Sequence, residues 1–71
     1  MMKITKRDVG RPIIFQGFDH GIYEGYIDKV KTTEFGYTFA HIMYRVPTIP
    51  EHISVPLPEK NWNRLAFRVT D

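Results

Sequence analysis

The apolar residues of this chain recur at period two, in short runs that glycine or proline interrupts every few positions. No other feature restricts the fold as much. Alternation sends successive side chains to opposite faces of a strand, whereas an amphipathic helix needs apolar residues three and four apart over ten or more positions. The sequence offers no such helical stretch. Its alternating positions carry mainly β-branched and aromatic residues, which suit a pleated, half-buried surface. Five candidate strands with turn residues between them predict a small all-β sandwich or barrel.

The first strand is Pro12 to Gln16, where a leading proline need not donate to the ladder. "GFDHG", Gly17 to Gly21, reads as a hairpin loop. Its two glycines are expected to supply positive φ, and Asp19 to hydrogen-bond its own downstream backbone. The second strand runs from Ile22 to Thr32. Gly25 and Ile27 share a face but Val30 falls out of phase, so a β-bulge is expected near Asp28 and Lys29. "TTEFG" reads as the next hairpin connection, with Gly36 at positive φ. In the third strand, Tyr37 to Val46, the uncharged set Ala40, Ile42, Tyr44 and Val46 is assigned to the core. Tyr37, Phe39, His41, Met43 and Arg45 form the outer face. "PTIPEH" is a loop and Ile53 to Val55 a short fourth strand. "PLPEKNW" holds a helical turn with Pro58 at its first position. Leu65 to Val69 is the last strand, with Leu65, Phe67 and Val69 on one face, and Trp62 is expected to be buried.

The 71 residues suit one domain, 1–71. A chain of this size buries only about 60% of its unfolded surface, and without cysteine neither a disulfide nor a thiolate zinc site can staple it. The core must come from aliphatic and aromatic burial. Ten basic against eight acidic residues leave a net charge of +2, too small to announce a nucleic-acid binder by itself. No apolar run approaches the roughly 18–20 residues of a membrane span, and "MMKITKRDVG" lacks the apolar stretch of a secretory signal. The expectation is a soluble, cytoplasmic protein without a membrane partner.

Catalytic chemistry has little to stand on. His20, His41 and His52 lack the i, i+2 or i, i+4 spacing that seeds a metal site on one element. Asp19 and His20 are adjacent, and neighbours along a chain rarely aim at one reacting atom. Ser54 is the only serine and has no evident activating base. "GFDHG" fits neither a phosphate loop nor a dinucleotide fingerprint. The chain is therefore expected to be no enzyme and to carry no cofactor or metal.

The succession "DVGRPIIF", "YEGYIDKV", "YTFAHIMYRV", a "PEKNW" turn and "RLAFRV" resembles the SH3-like barrels. It is similar to the small SH3-like proteins often encoded by bacterial viruses and prophages. The resemblance implies a mainly β fold, a five-stranded, partly open barrel with one short helical turn before the last strand. In SH3-like domains that bind peptides, aromatics on the loop after the first strand line a groove for extended proline-rich segments. Phe18, Tyr23 and Trp62 would take that part here, while the acidic cluster of that loop is reduced to Asp19 and Glu24. The expected function is that of a non-catalytic interaction module, a monomer or weak homodimer, binding another protein through Phe18, His20, Tyr23, Phe39 and Arg45. The alternative is a nucleic-acid-binding module using Lys29, Lys31, Arg45, Lys60, Arg64 and Arg68.

Overall fold

A computed structural model describes residues 2–69 of the chain. Strands β1 (Pro12–Gln16), β2 (Ile22–Thr32), β3 (Thr38–Tyr44), β4 (Ile53–Pro58) and β5 (Leu65–Phe67) form one antiparallel sheet in the order β4-β3-β2-β1-β5. Short 3-10 segments, Lys6–Asp8 and Glu59–Arg64, precede β1 and β5. The fold is mainly β, one partly open five-stranded antiparallel sheet with a 3-10 turn before the last strand. Among the described residues no helix is long and apolar enough to cross a membrane.

Strand β2 organises the sheet because it pairs along both edges. It faces β1 from Pro12↔Tyr26 to Gln16↔Ile22, and β3 from Gly25↔Tyr44 to Thr32↔Thr38. The register shifts between Ile27 and Lys29, so Asp28 is the extra residue and Val30 returns to the inner face opposite Ala40. The bulge lies where the alternation breaks in the sequence. Its neighbourhood is not left unbonded. The Gly10 amide donates to the Ile27 carbonyl (2.7 Å), and the Ile27 amide donates to the Arg11 carbonyl (3.1 Å). The chain before β1 thus continues the ladder that β1 begins.

Inner-face rows cross the sheet as Ile27–Ile42–Val55 and Val30–Ala40–Leu57. Ile13, Phe15, Leu65 and Trp62 complete the buried cluster, and Ile4 closes it from the N-terminal segment. Ile42 is fully buried at the centre. Ile42→Ala is expected to cost about 2–5 kcal/mol, read as a large fall in melting temperature. An unchanged melt would mean that β3 faces the other way. Tyr44 is half-buried and packs on the core, 5.1 Å from the Phe15 ring and 5.2 Å from the Tyr23 ring, centroid to centroid.

The structure departs from the sequence expectations in several places. Positive φ in the first hairpin falls on His20 (φ 68°), not on Gly17 or Gly21. Strand β3 stops at Tyr44, so Tyr37 and Val46 lie outside it. Strand β4 extends beyond Val55 to Pro58, because an edge strand tolerates proline when the missing amide would have faced away from its neighbour. Pro58 accordingly precedes the 3-10 helix instead of opening it. Strand β5 ends at Phe67, and Val69 is 92% exposed, not core. Gly36 has the expected positive φ (88°).

Candidate binding surfaces

The loop between β1 and β2 is built around Tyr23. Its hydroxyl donates to Asp19 Oδ2, and Asp19 Oδ1 accepts the Gly21 amide at 2.9 Å. Two backbone bonds close the loop, Gly17 N to Gly21 O (2.8 Å) and His20 N to Gly17 O (3.0 Å). A Cβ on Gly21 would lie 2.6 Å from the Tyr23 hydroxyl oxygen, and one on Gly17 2.8 Å from the ring. The two glycines are therefore there for space: the tyrosine ring lies against the loop backbone. The Tyr23 hydrogen bond, and then the Gly21 amide, hold the Asp19 carboxyl below the usual carboxylate range. The same bond raises the Tyr23 hydroxyl above its ordinary value.

Phe18 projects from this loop with 58% of its surface exposed. The Arg64 guanidinium sits over its ring, 4.1 Å from the centroid. Arg64 also donates to the Gln16 carbonyl (3.3 Å) and the Gly17 carbonyl (3.1 Å), joining the end of the 3-10 helix to the loop. Beside the loop a groove of about 360 Å³ is lined by Ile22, Tyr23, Glu24, Arg45 and Pro47. Trp62 takes no part in it. It is 2% exposed, and its indole N–H donates to the Leu57 carbonyl at 2.9 Å.

The outer face of β2-β3-β4 is a second surface. Register places Lys31 opposite Phe39 and Phe39 opposite Pro58; the next outer row is Lys29, His41 and Pro56. At the hairpin end a cleft of about 510 Å³ opens between Tyr37, Phe39, Pro58 and Lys60. Tyr37 (67%) and Phe35 (80%) are strongly exposed there. Burial, then Lys29 and Lys31, hold His41 below its ordinary range, while Asp28 opposes them weakly. A histidine whose folded pKa lies below its unfolded value stabilises the fold fully above about pH 6.5 and loses that contribution as pH falls towards the folded value. The His41 ring resonances are expected to titrate below pH 6.5, with the midpoint moving up in Lys31→Ala. A midpoint at or above 6.5 in the wild type would contradict this arrangement.

The five residues read as protein contacts do not form one patch. Phe18, His20, Tyr23 and Arg45 belong to the loop end, whereas Phe39 lies towards the opposite end, on the second surface. The six basic residues divide as well. Lys29, Lys31 and Lys60 share the second surface. Arg64 is fixed on Phe18, Arg45 lines the loop groove, and Arg68 pairs with Glu24 at 3.6 Å. The histidines stay apart: His20 is on the loop, His41 faces Lys29, and His52 packs edge-on against Tyr26. Among the described residues no three His, Asp or Glu side chains come together as metal ligands would. No family model matches the chain, and no curated protein or solved structure matches it.

Proposed function

We propose that this chain is a non-catalytic protein-binding module of the cytoplasm, contacting its partner through the loop between β1 and β2 and the groove beside it. The observation that carries the reading is the presentation of Phe18. Its ring is largely exposed, yet the loop beneath is held by the Tyr23–Asp19 bond, the two backbone closures and Arg64. An aromatic side chain offered from a fixed backbone loses little freedom on binding, and such residues dominate binding energy at protein interfaces. Exposed Ile22 and the aliphatic stem of Arg45 extend the contact, with Glu24 as its acidic rim.

The test is selection of random peptides displayed on a carrier against the folded protein, followed by measured affinities for the enriched sequences. Phe18→Ser is expected to keep the wild-type melt, to within a few degrees, and to weaken the selected peptides by about tenfold or more. Lys31→Ala should leave them unaffected. Absence of any enriched sequence, or equal binding by Phe18→Ser, would count against the loop as the contact.

A further inference from the structure

From the outer face of β2-β3-β4 we infer a second binding function: this surface takes single-stranded nucleic acid, with bases on Tyr37, Phe39 and His41 and phosphates on Lys29, Lys31 and Lys60. The inference does not depend on the loop reading. It starts from which cations are free. Among the described residues the only ion pairs are Arg11–Asp8 and Arg68–Glu24. Arg64 is occupied by two carbonyls and the Phe18 ring. Among the described residues Lys29, Lys31 and Lys60 make no side-chain hydrogen bond or ion pair, and all three lie on or beside one face. Arg11, Arg64 and Arg68 are tied up in holding the fold together, and these three lysines are not.

Spacing is the second argument. Phe39 and His41 are alternate residues of β3, and Lys31 and Lys29 stand directly opposite them on β2. Alternate residues of a strand are about 6.7 Å apart, twice the roughly 3.4 Å rise of stacked nucleotides. A single strand drawn out along β3 to about twice that rise therefore meets a ring and a lysine at each nucleotide. Stacking on rings with cations alongside is how strands bind without base readout. The cleft of about 510 Å³ between Tyr37, Phe39, Pro58 and Lys60 has room for one terminal base. Part of the histidine shift described above has the same origin: after burial, both lysines raise the positive potential at His41.

An acidic peptide could also meet three lysines, but the face disfavours it. One way an extended peptide binds a sheet is by adding a strand to its edge, and the edge that borders this face, β4, carries Pro56 and Pro58. A partner on this surface must instead lie across side chains, and these are flat rings. Asp28 and Glu59 flank the lysines, so contact is confined to about three phosphates and binding is weak and steeply salt-dependent.

The experiment is fluorescence anisotropy with a labelled oligothymidylate of about eight nucleotides, a duplex of the same length and a polyglutamate peptide. With three phosphates neutralised, log K should fall with log salt at a slope of about −2, which is about a 15- to 20-fold loss between roughly 50 and 200 mM salt. Lys31→Ala should reduce that slope by about 0.7. Tyr37→Ala, at an exposed position outside the ladder, should weaken the single strand by about fivefold or more without altering the melt. Phe18→Ser should change nothing. Amide shifts in the wild type should map to Lys29, Lys31, Tyr37, Phe39 and His41. Equal affinity for the duplex, equal competition by polyglutamate, no binding at low salt, or shifts confined to the β1–β2 loop would each overturn the inference.

Discussion

Gly25→Ala is expected to leave little folded protein. A Cβ at this position would be driven into the backbone carbonyl oxygen of Met43 and would lie 3.0 Å from both Cα and Cβ of Tyr44. What it meets is mainly the backbone of β3 directly across the ladder, not the end of a side chain that could turn aside. Overpacking costs about 1–3 kcal/mol when side chains can yield, and more when they cannot. The core of a domain of this size, with no cysteine to cross-link it, rarely supplies more than roughly 3–5 kcal/mol in all. Most of that stability should disappear, to be read as loss of the cooperative thermal transition by circular dichroism. A variant melting within a few degrees of the wild type would show that β2 and β3 can separate here without penalty. The glycine stands opposite Tyr44, a member of the aromatic cluster at this end of the sheet. Across from it the Tyr44 ring packs against Phe15 and Tyr23.

Trp62→Ala should be nearly as damaging, at about 3–5 kcal/mol. The indole is the largest side chain in the core and comes from the 3-10 helix that leads into β5. Trp62→Phe separates area from hydrogen bonding. It keeps much of the buried surface but leaves the Leu57 carbonyl without the indole donor, for an expected cost of about 1–3 kcal/mol. Urea unfolding followed by circular dichroism checks both variants. If Trp62→Phe matched the wild type, the indole N–H would contribute nothing. If Trp62→Ala did so, the side chain would not belong to the core.

Much of the fold could be read from the residues because the alternation and its one interruption have local causes. The bounds of β1 and β2, the bulge before Val30 and the positive φ of Gly36 all follow from period and turn chemistry. What escaped depends on neighbours. Pro56 and Pro58 read as strand breakers until β4 is known to be an edge. Val69 alternates correctly with Phe67, but pairing with β1 ends at Phe67, so nothing buries it. Ile4 lies in an unpatterned segment and becomes core only because the chain before β1 folds over the sheet. The candidate surfaces show the same division. Phe18 and Tyr23 stand out because they sit on a glycine-flanked loop. The pairing of Lys29 with His41 and Lys31 with Phe39 depends on the bulge register and on β3 together. That Arg64 and Arg68 are held by the Phe18 ring and by Glu24, while Lys29, Lys31 and Lys60 stay open, depends on contacts across the fold and not on residue type.

The closure between β1 and β5 carries a dynamic consequence. Only three residue pairs join these strands, and they bring Phe15 to Leu65 across most of the chain. The β2-β3-β4 meander, by contrast, is made of hairpin neighbours. Proteins open in contiguous units of unequal stability, and short, distant pairings belong to the weaker ones. Amide hydrogens of β5 should therefore exchange with solvent well before those of β3. Arg64 links the loop to this same seam, through bonds that span 47 and 48 residues. When the seam opens, Phe18 loses the cation that covers it, while the lysine and aromatic rows of the meander stay in register. The two surfaces would then have different working ranges in temperature and denaturant, and the one on the meander would be the last to fail.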